Sequence, residues 1–267
     1  GPEKGVFLTM GYTANDIRNI CLLGHGGDGK SALCESMLFT TKAITRLGKR
    51  ADGTTVSDFD DEEKKRQYSI SSSVIPVEYS KCKINVIDNP GYFDFAGQIV
   101  QSLRVADAGL ICLTAKSGIG VGTEKGWKYL QKAGLPAMFY ISKLDEEHGD
   151  FYKVLGDLQA KYGSIVCPVV APMSDGTGVI DLVHNVAYQT KGGKTAKIPV
   201  PAADADKVAE LRESLMETAA GASEELMEKY FEEMELCEAD IVTGIKLGMV
   251  DRSVVPVVCG AAMANIG

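Results

Sequence analysis

Four glycines, one lysine and one serine are packed into the eight residues GHGGDGKS, which start at Gly24 and follow the apolar run NICLL. Gly24, Gly29, Lys30 and Ser31 match the spacing GxxxxGK[ST], in which a turn between strand and helix lays backbone N–H groups around phosphate oxygens. In that geometry the cradle runs through His25, Gly26, Gly27, Asp28 and Gly29 to Ala32. The Lys30 ammonium reaches the β and γ oxygens, and the Ser31 hydroxyl ligates Mg²⁺. DNPG at Asp88 closes another apolar run. There a carboxylate holds a water of the Mg²⁺ shell, and the N–H of Gly91 touches the γ-phosphate. Ser142, Lys143 and Asp145, in SKLD, end a further run. A carboxylate at position 145 accepts from both N1–H and the exocyclic amine of guanine, whereas adenine has no N1 donor and leaves buried acceptors unpaired. Asp145 therefore selects GTP and GDP over adenine nucleotides and disfavours an ATP-dependent kinase. CGAA adds the backbone N–H groups of Gly260, Ala261 and Ala262 to the guanine O6.

Residues this far apart in sequence meet only if several strand ends lie side by side. The runs IRNICLLG (from Ile17), INVIDNPG (Ile84), AGLICLTA (Ala108), PAMFYISK (Pro136) and VVPVVCGA (Val254) are continuous rather than alternating. Strands of that kind are buried on both faces of a parallel sheet. SALCESML, AGQIVQSLRVA, TEKGWKYLQKA and FYKVLGDLQAKYG between them have helical spacing. The alternation predicts an α/β P-loop NTPase fold, a mostly parallel doubly wound sheet. Between Val170 and Val255 the pattern changes to loops, a hairpin around QTKGGKTAKIPV and acidic helices, which predicts an inserted α/β subdomain.

The expected organisation is therefore residues 10–168 for the main domain, 169–253 for the insertion and 254–267 for the return to the main domain. Residues 1–9 fit no element and are read as an expression remnant before Met10. The last strand lacks a covering helix, so later domains are expected. The formal net charge of −8 argues against general phosphate neutralisation along a nucleic acid, so any RNA is met locally and DNA is not an expected partner. Seven cysteines stand singly without metal spacing, which suits a reducing cytoplasm. No apolar stretch is long enough for a bilayer, and no membrane partner is expected.

In their order along the chain, GHGGDGKS, DNPGY, SKLD and CGAA resemble the motifs of a translational GTPase, most closely the G domain of elongation factor G with its G′ insertion. The resemblance extends to DGTTVSDFDDEEKKRQYSI, DFAG, GTGVIDLV, EELMEKYFE and PVVCGAAMANIG, and it spans residues 17–267. TTVSDF, PGYFDF and VGTEKGW are closer to the elongation-factor-G-like paralogues. AITRLG followed by GTT is similar to the ribosomal protection proteins of tetracycline resistance. The resemblance implies a cytoplasmic, monomeric GTPase whose partner is the ribosome, through large-subunit RNA near the GTPase centre and ribosomal proteins. The alternative it allows is a protection-type or non-hydrolysing module that binds the ribosome in a GTP-dependent way.

By the same resemblance, Ser69 takes the place of the switch Thr that ligates Mg²⁺ in the GTP state, and Tyr92 takes the place of the His that positions water. The catalytic set is then Tyr92, Gly91 and Lys30, and the metal set Ser31, Ser69 and Asp88. A phenol with a pKa of about 10 is a poor base at neutral pH, so slow hydrolysis is expected. Gly26 and Tyr68 stand where the family has a hydrophobic gate, and Asp28 is displaced from the loop position associated with a monovalent cation. Ser142 replaces the usual Asn, and looser nucleotide holding is expected from the loss of its amide.

Overall fold

In the computed structural model, which describes residues 12–41, 73–91 and 96–267, the five apolar runs become strands of one sheet. They are β1 (Ile17–Leu23), β3 (Cys82–Asp88), β4 (Ala108–Thr114), β5 (Ala137–Ser142) and β11 (Val255–Cys259). Two further strands border them, β2 (Ser73–Tyr79) and β6 (Val166–Pro168), giving the order β2-β3-β1-β4-β5-β11-β6. All neighbours are parallel except β2, which runs antiparallel to β3. β2 escapes the sequence reading because it alternates, with Ile75 and Val77 buried and Val74 and Pro76 outside, and carries a proline that an edge strand tolerates.

The register decides where chemistry can occur. Leu22 lies beside Asp88, Leu23 beside Ile111, Thr114 beside Ser142, and Ile141 beside Cys259. Consequently the residues that follow β1, β3, β5 and β11 all emerge at one edge. The chain leaves β1 for β3 on one side and β4 on the other, which makes that edge a topological switch point, where open α/β sheets bind ligands.

Helices α1 (Lys30–Thr40), α2 (Ala96–Leu103), α3 (Val121–Ala133) and α4 (Phe151–Tyr162) follow the strands as their apolar spacing predicts. On one face Phe139 is fully buried and stacks at 5.8 Å on Trp127 of α3 and at 5.6 Å on Tyr162 of α4. On the other face Leu33, Cys34 and Leu38 of α1 pack with Leu22, Val86 and Leu110. The Asp150 side chain caps α4 by accepting from the N–H of Lys153 at 3.1 Å.

Past Pro168 the chain enters a second sheet. β7 (Val170–Pro172), β8 (Gly178–Asp181), β9 (Val186–Lys191) and β10 (Lys194–Pro199) form an antiparallel sheet in the order β10-β9-β8-β7. Gly192 and Gly193 turn the expected hairpin with φ of 56° and 74°, the left-handed pair of a tight two-residue turn. β7 and β8 stand where the sequence pattern suggests loops, because at three and four residues they are too short to show a period. Three helices follow, α5 (Ala205–Ala220), α6 (Glu224–Glu233) and α7 (Glu238–Val250), before β11 rejoins the first sheet. The acidic stretches are the exposed faces of these helices, and Leu211, Leu215, Tyr230 and Ile241 are their buried faces.

Val179, Ile180, Leu215 and Ile241 belong to the same buried cluster as Phe139, Ile141 and Val257. The second sheet and its helices therefore share a core with the first. Among the described residues, no helix is long and apolar enough to cross a membrane. Leu215 is 0% exposed, so Leu215→Ala is expected to lower stability by about 2–5 kcal/mol through cavity formation. Urea unfolding followed by the fluorescence of Trp127, which sits over the first sheet, checks this. One shared transition that moves as a whole is expected, rather than an early step silent to Trp127.

Candidate functional site

The turn after β1 is held in shape by its own groups. Asp28 N–H donates to the His25 carbonyl at 3.2 Å, and His25 N–H donates to Asp28 Oδ2 at 2.7 Å. Lys30 Nζ donates back to the carbonyls of Gly24 and His25, at 3.2 and 3.1 Å, which holds the ammonium against the loop. Gly24 has φ of 139°, and a Cβ there would run into the Cys112 carbonyl of the neighbouring β4. A side chain at Gly91 would overlap the backbone at Gly26, so the DNPG turn closes directly on the loop. Both positions need glycine for close approach.

Ser31, in the first turn of α1, donates its hydroxyl to Asp88 Oδ2 at 2.6 Å, with the two residues 5% and 1% exposed. Two hard oxygen donors thus meet beside the N-terminus of α1, a donor set that fits Mg²⁺. Asn89, which the motif reading does not single out, fixes the turn after Asp88. Its amide donates to the Leu22 and Ile87 carbonyls at 3.2 and 3.3 Å, and Ser102 Oγ donates to its Oδ1 at 2.7 Å. A signal for it exists in the sequence, since an Asn at an otherwise apolar strand end must find partners when buried.

Ser142 has partners of its own in place of the missing amide. Its hydroxyl donates to the Asp28 carbonyl at 2.7 Å and lies 3.2 Å from the Leu113 carbonyl, so the phosphate loop stays braced to β5 without an Asn amide. Asp28 is also engaged within the loop, where its Oδ2 accepts from the His25 N–H. Burial, the largest influence, raises its carboxyl above the usual value against the His25 hydrogen bond and the nearby Lys30, His25 and Lys143 charges, which lower it.

Lys143 sits in the left-handed region, φ 57°, and pairs with Glu146 at 3.4 Å. Both line a cleft of about 450 Å³ with His25, Gly27, Asp28 and Thr114. Asp145, between them, is exposed and does not line the cleft. Leu144 N–H donates to the Gly260 carbonyl at 3.3 Å, which joins SKLD to CGAA. The expectation for CGAA needs revision. Gly260 N–H is bonded to Ile141 O at 3.1 Å and Ala261 N–H to Ile266 O at 2.7 Å. Of the three, Ala262 is the first residue of a short 3₁₀ turn (Ala262–Ala264), whose opening N–H has no intrahelical partner. Tyr68, Ser69 and Tyr92 lie outside the described residues.

The strand order, the glycine loop leading into α1 and the meeting of Ser31 with Asp88 define a P-loop nucleotide-binding domain. A profile of the elongation factor Tu GTP binding domain matches residues 15–267. The chain is 33% identical over 258 residues to elongation factor G of Granulibacter bethesdensis, covering 94% of this chain and 37% of that protein. With elongation factor G of Mycoplasma pneumoniae it shares 32% identity over 258 residues, 94% of this chain and 38% of the relative. The crystal structure of a Thermus thermophilus protein, ttk003000868, matches with a TM-score of 0.88 and 33% identity, over 94% of this chain and 38% of that one. The chain belongs to the elongation factor Tu GTP-binding domain family and is a G domain of the elongation-factor-G-like translational GTPases. It spans somewhat over a third of the length of the curated relatives it matches.

Ser142→Ala removes a hydroxyl that serves two carbonyls and is expected to cost about 1–2 kcal/mol of stability, with weaker GDP binding in calorimetric titration. Because the folded Asp28 carboxyl lies above its unfolded value, the folded chain holds that proton more tightly. Its effect on stability is neutral below the unfolded value and unfavourable once pH rises through the folded one. Asp28→Asn still accepts from His25, so its stability relative to wild type should improve from pH 4 to pH 7 in thermal melts.

Proposed function

We propose that the chain binds GTP and GDP with Mg²⁺ as the nucleotide-dependent domain of a cytoplasmic factor that acts on the ribosome in a translocation-type cycle. The observation that carries the reading is the buried Ser31–Asp88 contact at 2.6 Å beside the α1 N-terminus. Those oxygens would hold Mg²⁺, with Ser69 as a further ligand in the GTP state. When bound, the ion neutralises the β and γ oxygens of the nucleotide. Lys30, already drawn against the loop carbonyls, supplies a fixed positive charge to the same oxygens. The N–H groups of the first turn of α1 add a positive helix end. Lys143 and Asp145 would hold the guanine, and Ala262 N–H would complete its O6 side. Elongation factor G is the name carried by the relatives, and the same role is assigned here by inference.

Gly91 N–H would meet the γ-phosphate, and Tyr92 would stand next to the attacking water. A phenol orients water through one hydrogen bond but takes up no proton near neutral pH, so turnover on ribosomes is slow. Single-turnover GTP hydrolysis with and without ribosomes tests both parts of the reading. Binding of GTP with little ribosomal stimulation is expected in the wild type, and Tyr92→His should raise the stimulated rate by roughly 100-fold, the lower end of general acid–base effects. Strong stimulation that Tyr92→His does not improve removes the role of Tyr92. Absence of GTP binding removes the whole reading.

A further inference from the structure

Asn265 ties three parts of the molecule together at one residue. It lies just past the CGAA loop in the left-handed region, φ 54°, a conformation that Asn tolerates better than most side chains. Its side-chain Oδ1 accepts from Ser36 Oγ at 2.9 Å and lies 3.3 Å from Thr40 Oγ1, both on α1. Its own carbonyl accepts from Thr190 Oγ1 of β9 at 3.3 Å. Its N–H donates to the Ala262 carbonyl at 3.1 Å, while Ala261 and Ile266 exchange N–H···O bonds at 2.7 and 3.1 Å around it. The loop from Gly260 to Ile266 is therefore a small closed ring, and Asn265 is where that ring is attached to the outside.

The attachment matters because the ring carries the base-facing donor. Gly260 and Ala261 have no N–H to spare, so O6 recognition falls on Ala262, and the position of Ala262 is set by the bond from Asn265. Ser36 and Thr40 belong to the helix whose N-terminus forms the phosphate end of the site. Through Asn265 the base end and the phosphate end thus have a fixed spacing. The Thr190 contact adds the second sheet to the same anchor.

We propose that Asn265 is a positioning residue for guanine: its Oδ1, held by Ser36 and Thr40, fixes the Gly260–Ile266 ring so that the Ala262 N–H meets O6. The inference rests on the GTP-binding reading above. It also specifies which atom is used, because both hydroxyls face the amide oxygen. An aspartate at this position keeps that acceptor and tolerates the left-handed backbone, whereas a glycine keeps the backbone and loses the acceptor.

The test is equilibrium titration of the protein with GDP and with 6-thio-GDP, in which sulfur replaces O6 while N1–H and the 2-amino group are unchanged. Wild type should prefer GDP by about fivefold to tenfold, the effect of one good hydrogen bond. Asn265→Gly should weaken GDP by a similar factor, leave 6-thio-GDP nearly unchanged and bring the preference close to one. Asn265→Asp should restore it. The double variant Ser36→Ala with Thr40→Val removes the same bonds without touching the loop, and should reproduce the glycine result if Asn265→Gly is too unstable to titrate. Equal weakening of both nucleotides would show Asn265 to be merely structural and overturn the inference, as would an unchanged preference in Asn265→Gly. A wild type that binds GDP and 6-thio-GDP equally removes the O6 contact, and with it this inference, but leaves GTP binding standing. A wild type that binds neither removes the nucleotide reading, and this inference falls with it.

Discussion

Close approach of backbone to backbone around the phosphate loop is the constraint on which the other features depend. The loop at Gly24 lies against the carbonyl of Cys112, the DNPG turn at Gly91 lies against Gly26, and α3 at Gly122 lies against His25. A side chain at any of these positions would push the loop out of the cleft between β1, β3 and β4. With the loop pressed in, its carbonyls at Gly24 and His25 accept from Lys30, and its His25 and Asp28 N–H groups are bonded within the loop. The sheet order supplies the three walls, and the glycines let them close.

Charge is distributed around this loop in a way that tempers its attraction for anions. Lys30 is 7% exposed, and its cost of burial is met by two carbonyls rather than by a carboxylate. Asp28, by contrast, puts a partly buried carboxylate in the loop, and Glu146 offsets Lys143 at the mouth of the cleft. The positive potential therefore comes mainly from Lys30 and the end of α1, in a chain whose formal net charge is −8. A site of this kind attracts a phosphate group through fixed local dipoles and one cation, and a divalent ion held by Ser31 and Asp88 complements it.

The second sheet is not a separate appendage. Its buried residues continue the cluster under β5 and β11, and Val169 N–H bonds the Val257 carbonyl at 2.9 Å where the chain passes from one sheet to the other. β11, the strand that leads into the Gly260–Ile266 loop, follows the whole insertion along the chain. The insertion also touches the loop after β11 directly, where Thr190 Oγ1 donates to the Asn265 carbonyl at 3.3 Å.

The four motifs were legible from residue types because each is short and its chemistry follows from a local backbone shape. A glycine turn follows a strand and opens a helix, and the serine beside its lysine meets the aspartate that ends β3. The five buried strands were legible because continuous apolar runs have few other places to go. What the sequence left open involves partners distant along the chain. Ser142 lacks the amide of an Asn, yet its hydroxyl joins β5 to the loop at the Asp28 carbonyl, a contact that only the packing of β5 beside the loop reveals. Gly260 and Ala261 looked like base contacts, yet their N–H groups are spent on Ile141 and Ile266. Asn89 and Asn265 drew no notice, since an asparagine becomes a fastener only where burial forces its amide to find partners. Residue type sets what a group can do, and the sheet register and burial decide which group it meets.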